Sequence, residues 1–174
     1  MNRKQRRKQA KRARKGKPAK GKGLAAAQSP RALQEAIINH QAGRLNEAAV
    51  IYEEILKAEP DNADALHLSG VAAHQNGNHA LGLELIGKAI AIDAGQPPFH
   101  DNLGIVLRHL GRLEEAEASH REALRIMPDF AAAHHNLGTT LHAQGCFAEA
   151  EKSIRRALQL DPDNAEAWNC LGNV

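Results

Sequence analysis

The sequence predicts an all-α fold in which antiparallel helix pairs stack side by side into a superhelical rod. Three observations predict it. The segment Ala131 to Asn164 reappears at steps of 34 residues, as PPFHDNLGIVLRHLGRLEEAEASHREALRIMPDF and, before that, as ADALHLSGVAAHQNGNHALGLELIGKAIAIDAGQ. Within each copy the apolar residues recur three and four apart, the spacing of one helical stripe. Glycine and proline fall between those stripes at fixed offsets, where helices stop. A fixed period of this length marks stacked repeats that bury one another's apolar faces.

Taken in order, the folded part is divided as 29–62, 63–96, 97–130, 131–164 and a partial copy 165–174. Ser29-Pro30 opens it, with Ser29 suited to accept a bond from a free helix amide and Pro30 suited to the first turn. Glu35 and Asn39 are polar where later copies are apolar, which fits an outermost helix with no upstream neighbour. In the 63–96 copy Ala94 and Gly95 stand where other copies close with proline, and Gly82 and Gly87 interrupt the second helix. Each interior glycine costs a helix about 1 kcal/mol relative to alanine, so this copy is expected to be the softest.

In the 131–164 copy, His134, Leu137, Gly138 and Leu141 stripe a first helix that Gly145 ends. Phe147, Ala150, Ile154, Ala157, Leu158 and Leu160 stripe a second that Pro162 stops. Small residues at the crossings recur in register: Gly138, Ala150 and Ala157 correspond to Gly104, Ala116 and Ala123, and to Gly70, Gly82 and Ala89. His100, His134 and His120 take offsets suited to aromatics and are expected to pack against neighbours. The fifth copy stops at Val174 and leaves Trp168 and Leu171 uncovered, so either the chain continues in a longer product or this edge self-associates.

The pattern resembles the tetratricopeptide repeat (TPR). Leu103, Gly104, Ala116, Ala123 and Pro128 match its fixed offsets in one copy, Leu137, Gly138, Ala150, Ala157 and Pro162 in the next, and Trp168, Leu171 and Gly172 open the last. The resemblance covers Ser29 to Val174 and implies a right-handed α-α superhelix with a polypeptide-binding concave face. Departures lie early, at Glu35 and Ser69 in place of leucine.

Stacked hairpins place their first helices along the groove. Residues at the fifth and twelfth offsets share one helix face, which assigns to the groove His67 with His74, Asp101 with Arg108, and His135 with His142, joined by His40. Histidines seven apart are about 10.5 Å apart along a helix, too far to share an ion, and no cysteine or carboxylate set completes a tetrahedron around them. No metal or cofactor is therefore expected. Asn102 and Asn136 share the offset before Leu-Gly, and amides can both donate to and accept from a peptide backbone. In this they resemble the repeat region of O-linked N-acetylglucosaminyltransferases, which implies a groove that holds extended polypeptide. The same offset is Gln34, Leu68 and Cys170 elsewhere, and helix-to-helix bonding of the two asparagines is the alternative.

The net charge of +3 conceals two opposed parts. Residues 1–23 hold 12 of the 23 Lys and Arg and none of the 20 acidic residues, leaving 11 basic against 20 acidic residues elsewhere. Residues 1–28 are read as a polybasic arm with nothing to bury, disordered when free. Such an arm can grip RNA, DNA or an anionic membrane surface through counterion release, or serve as a solubilising tail that folds back on the acidic repeats. The arm lacks the apolar core of a signal peptide and the apolar face of a mitochondrial presequence. Gly16 to Gly23 nearly spells a phosphate-binding loop, but Gly23 follows Lys22 where Ser or Thr is required, and no strand precedes it.

Cys146 and Cys170 offer no disulfide framework, and no apolar run reaches the ~18 residues that span a bilayer, so a cytoplasmic chain is expected. No nucleophile, base and acid are arranged as in an enzyme. Three functions follow as expectations: a non-enzymatic adaptor that binds protein or peptide in its groove; the substrate-docking part of a glycosyltransferase whose catalytic domain lies outside this chain; and an RNA-associated factor acting through the arm.

Overall fold

A computed structural model of the chain describes residues 30–172. The Ser29 cap and the basic arm lie outside the described residues. The described chain forms nine helices, with no strand among them: α1 Pro30–Gln41, α2 Leu45–Ala58, α3 Ala63–Gln75, α4 His79–Ile92, α5 Pro97–His109, α6 Leu113–Ile126, α7 Ala131–Ala143, α8 Phe147–Leu160 and α9 Ala165–Gly172. Each odd-numbered helix from α1 to α7 pairs with the even one that follows, and each hairpin packs on the next in chain order. Successive first helices also touch directly, α1 with α3, α3 with α5 and α5 with α7, which puts them together on the inner side of the stack.

One residue type makes every turn inside a hairpin. Gly43, Gly77, Gly111 and Gly145 have φ of 74°, 83°, 74° and 80°, a left-handed conformation that side-chain-bearing residues rarely adopt. Between hairpins the second helix ends just before Pro60, Pro128 and Pro162, and at Ala94-Gly95 in the one copy that lacks proline. Entry to the helices is less uniform. Asn62 and Asn78 accept bonds from the backbone amides of Ala65 and Leu81, whereas Arg44, Arg112 and Cys146 make no such side-chain cap.

The core is a file of small clusters rather than one central mass. Tyr52, Ile86, His120 and Ile154 occupy one offset in four successive copies and are each fully buried. Facing them across the hairpin stand Ala36, Gly70, Gly104 and Gly138. A Cβ built on Gly70, Gly104 or Gly138 would lie 2.7, 2.5 or 2.5 Å from the nearest side-chain atom of Ile86, His120 or Ile154. Glycine is therefore the space into which the next helix's largest core residue fits. Burying an isoleucine here stabilises the fold by about 1.5–3 kcal/mol, but only while the crossing stays this close. Ala116, Ala123, Ala150 and Ala157 are all fully buried at the same crossings. At the ends, α1 exposes Glu35, and α9 packs Ala167, Cys170 and Leu171 against Ile154 and Leu158.

Candidate functional site

The inner side of the stack is stitched together by side chains 35 residues apart. The residue at offset five of one copy meets the residue at offset six of the next. Asn102 Nδ2 donates to His67 Nε2 at 2.9 Å, and Asn136 Nδ2 donates to the two Asp101 carboxylate oxygens at 3.2 and 3.0 Å. Cys170 Sγ lies 3.5 Å from His135 Nε2, while Leu33 and Leu68 fill the equivalent places in a shared apolar cluster. Adjacent first helices are thus joined by complementary pairs that differ at each step.

Two of these pairs reach deep. His67 is 6% exposed and its ring stacks on Phe99 with centroids 4.4 Å apart. Burial, reinforced by the neighbouring His40, pushes its pKa from 6.5 down to about 4, against a raising hydrogen bond to the Pro98 backbone. Asp101 is 5% exposed and also accepts from His120 Nδ1 at 2.8 Å. His120 is the polar member of the otherwise apolar file of Tyr52, Ile86 and Ile154, and Asp101 is what satisfies it. Its other nitrogen, Nε2, is buried without a hydrogen-bond partner beneath Gly104. With Nδ1–H donating to the carboxylate, a neutral ring leaves Nε2 as a bare lone pair, which is cheaper to bury than an orphaned N–H.

The offset-twelve residues sit further along the same helices and are partly open. His40 bridges Tyr52 Oη at 3.2 Å and Gln75 Oε1 at 2.9 Å. His74 meets His79 and His109, and burial together with the charges of His109, His79 and Arg108 pushes its pKa down to about 4. His142 packs its ring edge-on to Phe147, with centroids 5.2 Å apart. Arg108 is half-buried, with its Nε shielded from solvent and without a hydrogen-bond partner. Its charge lowers the pKa of both His74 and His135, one copy before it and one after, although burial is the larger cause at each. It is a cation held centrally on the inner side of the stack.

The structure therefore separates residues that the sequence placed on one face. His67 and Asp101 are buried between the helices, Asn102, Asn136 and His135 are engaged in the inter-repeat pairs, and His40, His74, Arg108 and His142 line the more open strip. Spacing within one helix could not separate these roles, because offsets five and six become partners only across copies. Reading offset five of each copy against offset six of the next would have exposed the complementary pairs.

A second device also escaped the sequence reading. The ring nitrogen at offset four bonds the carbonyl six residues earlier: His100 Nε2 to Ala94 at 2.9 Å, His134 Nε2 to Pro128 at 2.8 Å and Trp168 Nε1 to Pro162 at 2.9 Å. Each satisfies an acceptor at the link between hairpins. Histidine thus does here what the tryptophan indole does in the last copy.

The described surface also carries a cavity of about 1040 Å³ between α6 and α8, floored by Leu124, Leu137 and Leu141. On its rim Arg121 pairs with Glu117 and Glu149, and Arg156 with Asp129. Among the described residues no helix is long and apolar enough to cross a membrane.

Stacked helical hairpins with glycine or alanine at each tight crossing and polar residues along the inner side define a helical-repeat protein. The chain belongs to the tetratricopeptide-repeat family, whose pattern matches residues 40–103 and 107–173. A TPR repeat-containing thioredoxin of Arabidopsis thaliana, TTL4, is 33% identical over 76 residues, 44% of this chain and 11% of that protein. The chain thus spans about a tenth of that relative's length. Among solved structures, pilF of Pseudomonas aeruginosa has a TM-score of 0.78 at 24% identity, with 87% of this chain and 69% of that one covered. An O-GlcNAc transferase of Thermobaculum terrenum has a TM-score of 0.73 at 28% identity, with 79% and 26% covered. The first TPR of Spaghetti (RPAP3), bound to an HSP90 peptide, has a TM-score of 0.62 at 24% identity, with 64% and 88% covered.

Proposed function

We propose that the chain is a non-enzymatic interaction scaffold that holds a polypeptide segment along the inner side of its repeats. One observation carries this reading: Arg108 holds a half-buried cation at the middle of that side, between histidines whose pKa values it lowers. A peptide carboxylate would meet this charge at the terminal guanidinium nitrogens, since Nε is shielded from solvent. His40, His74 and His142 line the strip to either side, and the bound peptide of the Spaghetti structure supports a polypeptide as the ligand of this fold.

The test begins with polypeptides captured by the full chain, identified and then titrated as labelled peptides by fluorescence anisotropy. Arg108→Ala is expected to weaken binding at least tenfold, while Lys88→Ala on the exposed side of α4 leaves it unchanged. Equal binding by both variants removes the inner side from the account.

A second reading has its own support. The likeness to the O-GlcNAc transferase covers 26% of that protein, which favours a docking segment for a glycosyltransferase whose catalytic part is elsewhere. Asn102 and Asn136 would then hold extended polypeptide, which requires their amides to exchange the His67 and Asp101 bonds for a backbone. Capture undiminished by their joint replacement with alanine contradicts that role. The division at residue 29, a cytoplasmic setting, self-association through the edge bearing Trp168, and an anionic partner for the basic arm belong to the same proposal. The arm's part rests on its charge alone; salt-independent affinity for a random oligonucleotide removes nucleic acid from it.

A further inference from the structure

Three imidazoles meet where the second hairpin joins the third. His74 lies in the last turn of α3, His79 opens α4 and His109 closes α5. The first two are held by the tight Gly77 turn, and their Nδ1 atoms stand 2.9 Å apart. Ring centroids are 4.7 Å apart for His74 and His79, 4.7 Å for His74 and His109, and 5.6 Å for His79 and His109. One of the two facing Nδ1 atoms donates its hydrogen to the lone pair of the other; when the donor ring takes its Nε2–H tautomer both Nδ1 atoms carry lone pairs, and one ion can accept both.

Zinc-class ions bind imidazole nitrogen at about 2.0–2.1 Å in a tetrahedral set, which puts two ligand nitrogens about 3.3 Å apart. The His74 and His79 pair needs to open by only a few tenths of an ångström to reach that separation. His109 is prepared differently. Its Nδ1–H donates to the Ile105 carbonyl at 2.9 Å, which fixes the tautomer and leaves Nε2 as the lone-pair nitrogen. His109 is exposed at the end of its helix, so its ring has room to turn. Among the described residues no three donors already surround an ion position, so the third ligand joins on binding.

We propose that His74, His79 and His109 together bind one divalent transition ion of the zinc class, tying the second hairpin to the third. A fourth position stays open to water or an anion, and the nearby Arg108 charge favours the anion. The helix spacing that rules out a shared ion between His67 and His74 does not apply here, because the three ligands come from three helices.

The test uses the full chain without an affinity tag, stripped with EDTA and titrated with Co²⁺, whose tetrahedral complexes absorb strongly in the visible range. The expected result is saturation at one equivalent, displacement by Zn²⁺, and a melting midpoint that rises with free Zn²⁺. His79→Gln and His109→Gln, with circular dichroism in EDTA matching the parent, are each expected to bind at least tenfold more weakly. His142→Gln, in the hairpin where Phe147 replaces the second histidine, is expected to bind like the parent. A titration without saturation, unchanged affinity in either the His79 or the His109 variant, or a thiolate charge-transfer band that implicates Cys146 or Cys170 overturns the proposal.

Discussion

At the scale of single residues, the fold is set by a few buried polar groups that the repeat pattern does not announce. His120 sits where other copies carry Tyr or Ile, and the cost of that ring is offset by Asp101, which Asn136 then holds from the next copy. Asp101→Ala strands the His120 N–H and is expected to cost about 2–4 kcal/mol in urea denaturation. Replacing both, Asp101→Leu with His120→Ile, is expected to recover most of that loss, since an apolar pair leaves no orphan; a double variant as unstable as the single contradicts the pairing. His67 makes stability depend on pH. Its folded pKa of about 4 lies below the ordinary 6.5, so the unfolded chain takes up the proton first as pH falls. The His67 contribution is intact above pH 6.5 and is lost as pH falls through 4, by about 3 kcal/mol in all. Urea midpoints compared with His67→Phe check this, and parallel profiles for the two chains between pH 7.5 and 4.5 contradict it. The sequence made His67 and Asp101 visible as repeat-register residues, but not their burial. Burial depends on which neighbour stands 35 residues away, and helical periodicity carries no such information.

At the scale of the helix, the sequence was most legible where a backbone conformation or a close crossing admits one kind of residue. The turn glycine Gly145 and the glycines of offset eight were placed by register alone, and their physical reasons are a positive φ, shared by Gly43, Gly77 and Gly111, in one case and a facing core side chain in the other. Gly104, of the offset-eight set, and Gly87 behave in opposite ways. Gly104→Ala drives a Cβ to 2.5 Å from the His120 ring and is expected to cost about 1–3 kcal/mol through overpacking. Ala150→Leu, at a fully buried crossing, is expected to cost about the same. Gly87 lies inside α4 with nothing within 4 Å of its missing Cβ, so Gly87→Ala is expected to stabilise by about 0.5–1 kcal/mol. Thermal melts of the three variants check the crossings, and a stable Gly104→Ala sinks the register assigned to α5 and α6. Gly82 is different again, since its Cβ would meet the Gly70 carbonyl at 3.0 Å. The glycines of the 63–96 copy are therefore part packing device and part weak point.

At the scale of the whole molecule, stacking converts a local pattern into an extended inner side. Repeat stability is a sum of hairpin and interface contributions, so the offset-five to offset-six pairs act as separate latches between neighbours. Because the pairs differ, each interface is chemically its own: His67 with Asn102, Asp101 with Asn136, His135 with Cys170. The sequence was sufficient to give the order of helices and the inner position of the first helix of each pair. It could not show that half of the residues assigned to the groove are spent on joining the repeats, leaving a narrower, more open strip around His40, His74, Arg108 and His142. The most direct measurement is hydrogen exchange of the full chain with and without a polypeptide it captures. The account predicts added protection along α3, α5 and α7, strongest around Arg108, with α4, α6 and α8 little changed. Protection confined to α4, α6 and α8, or none at all, contradicts a polypeptide held along the inner side.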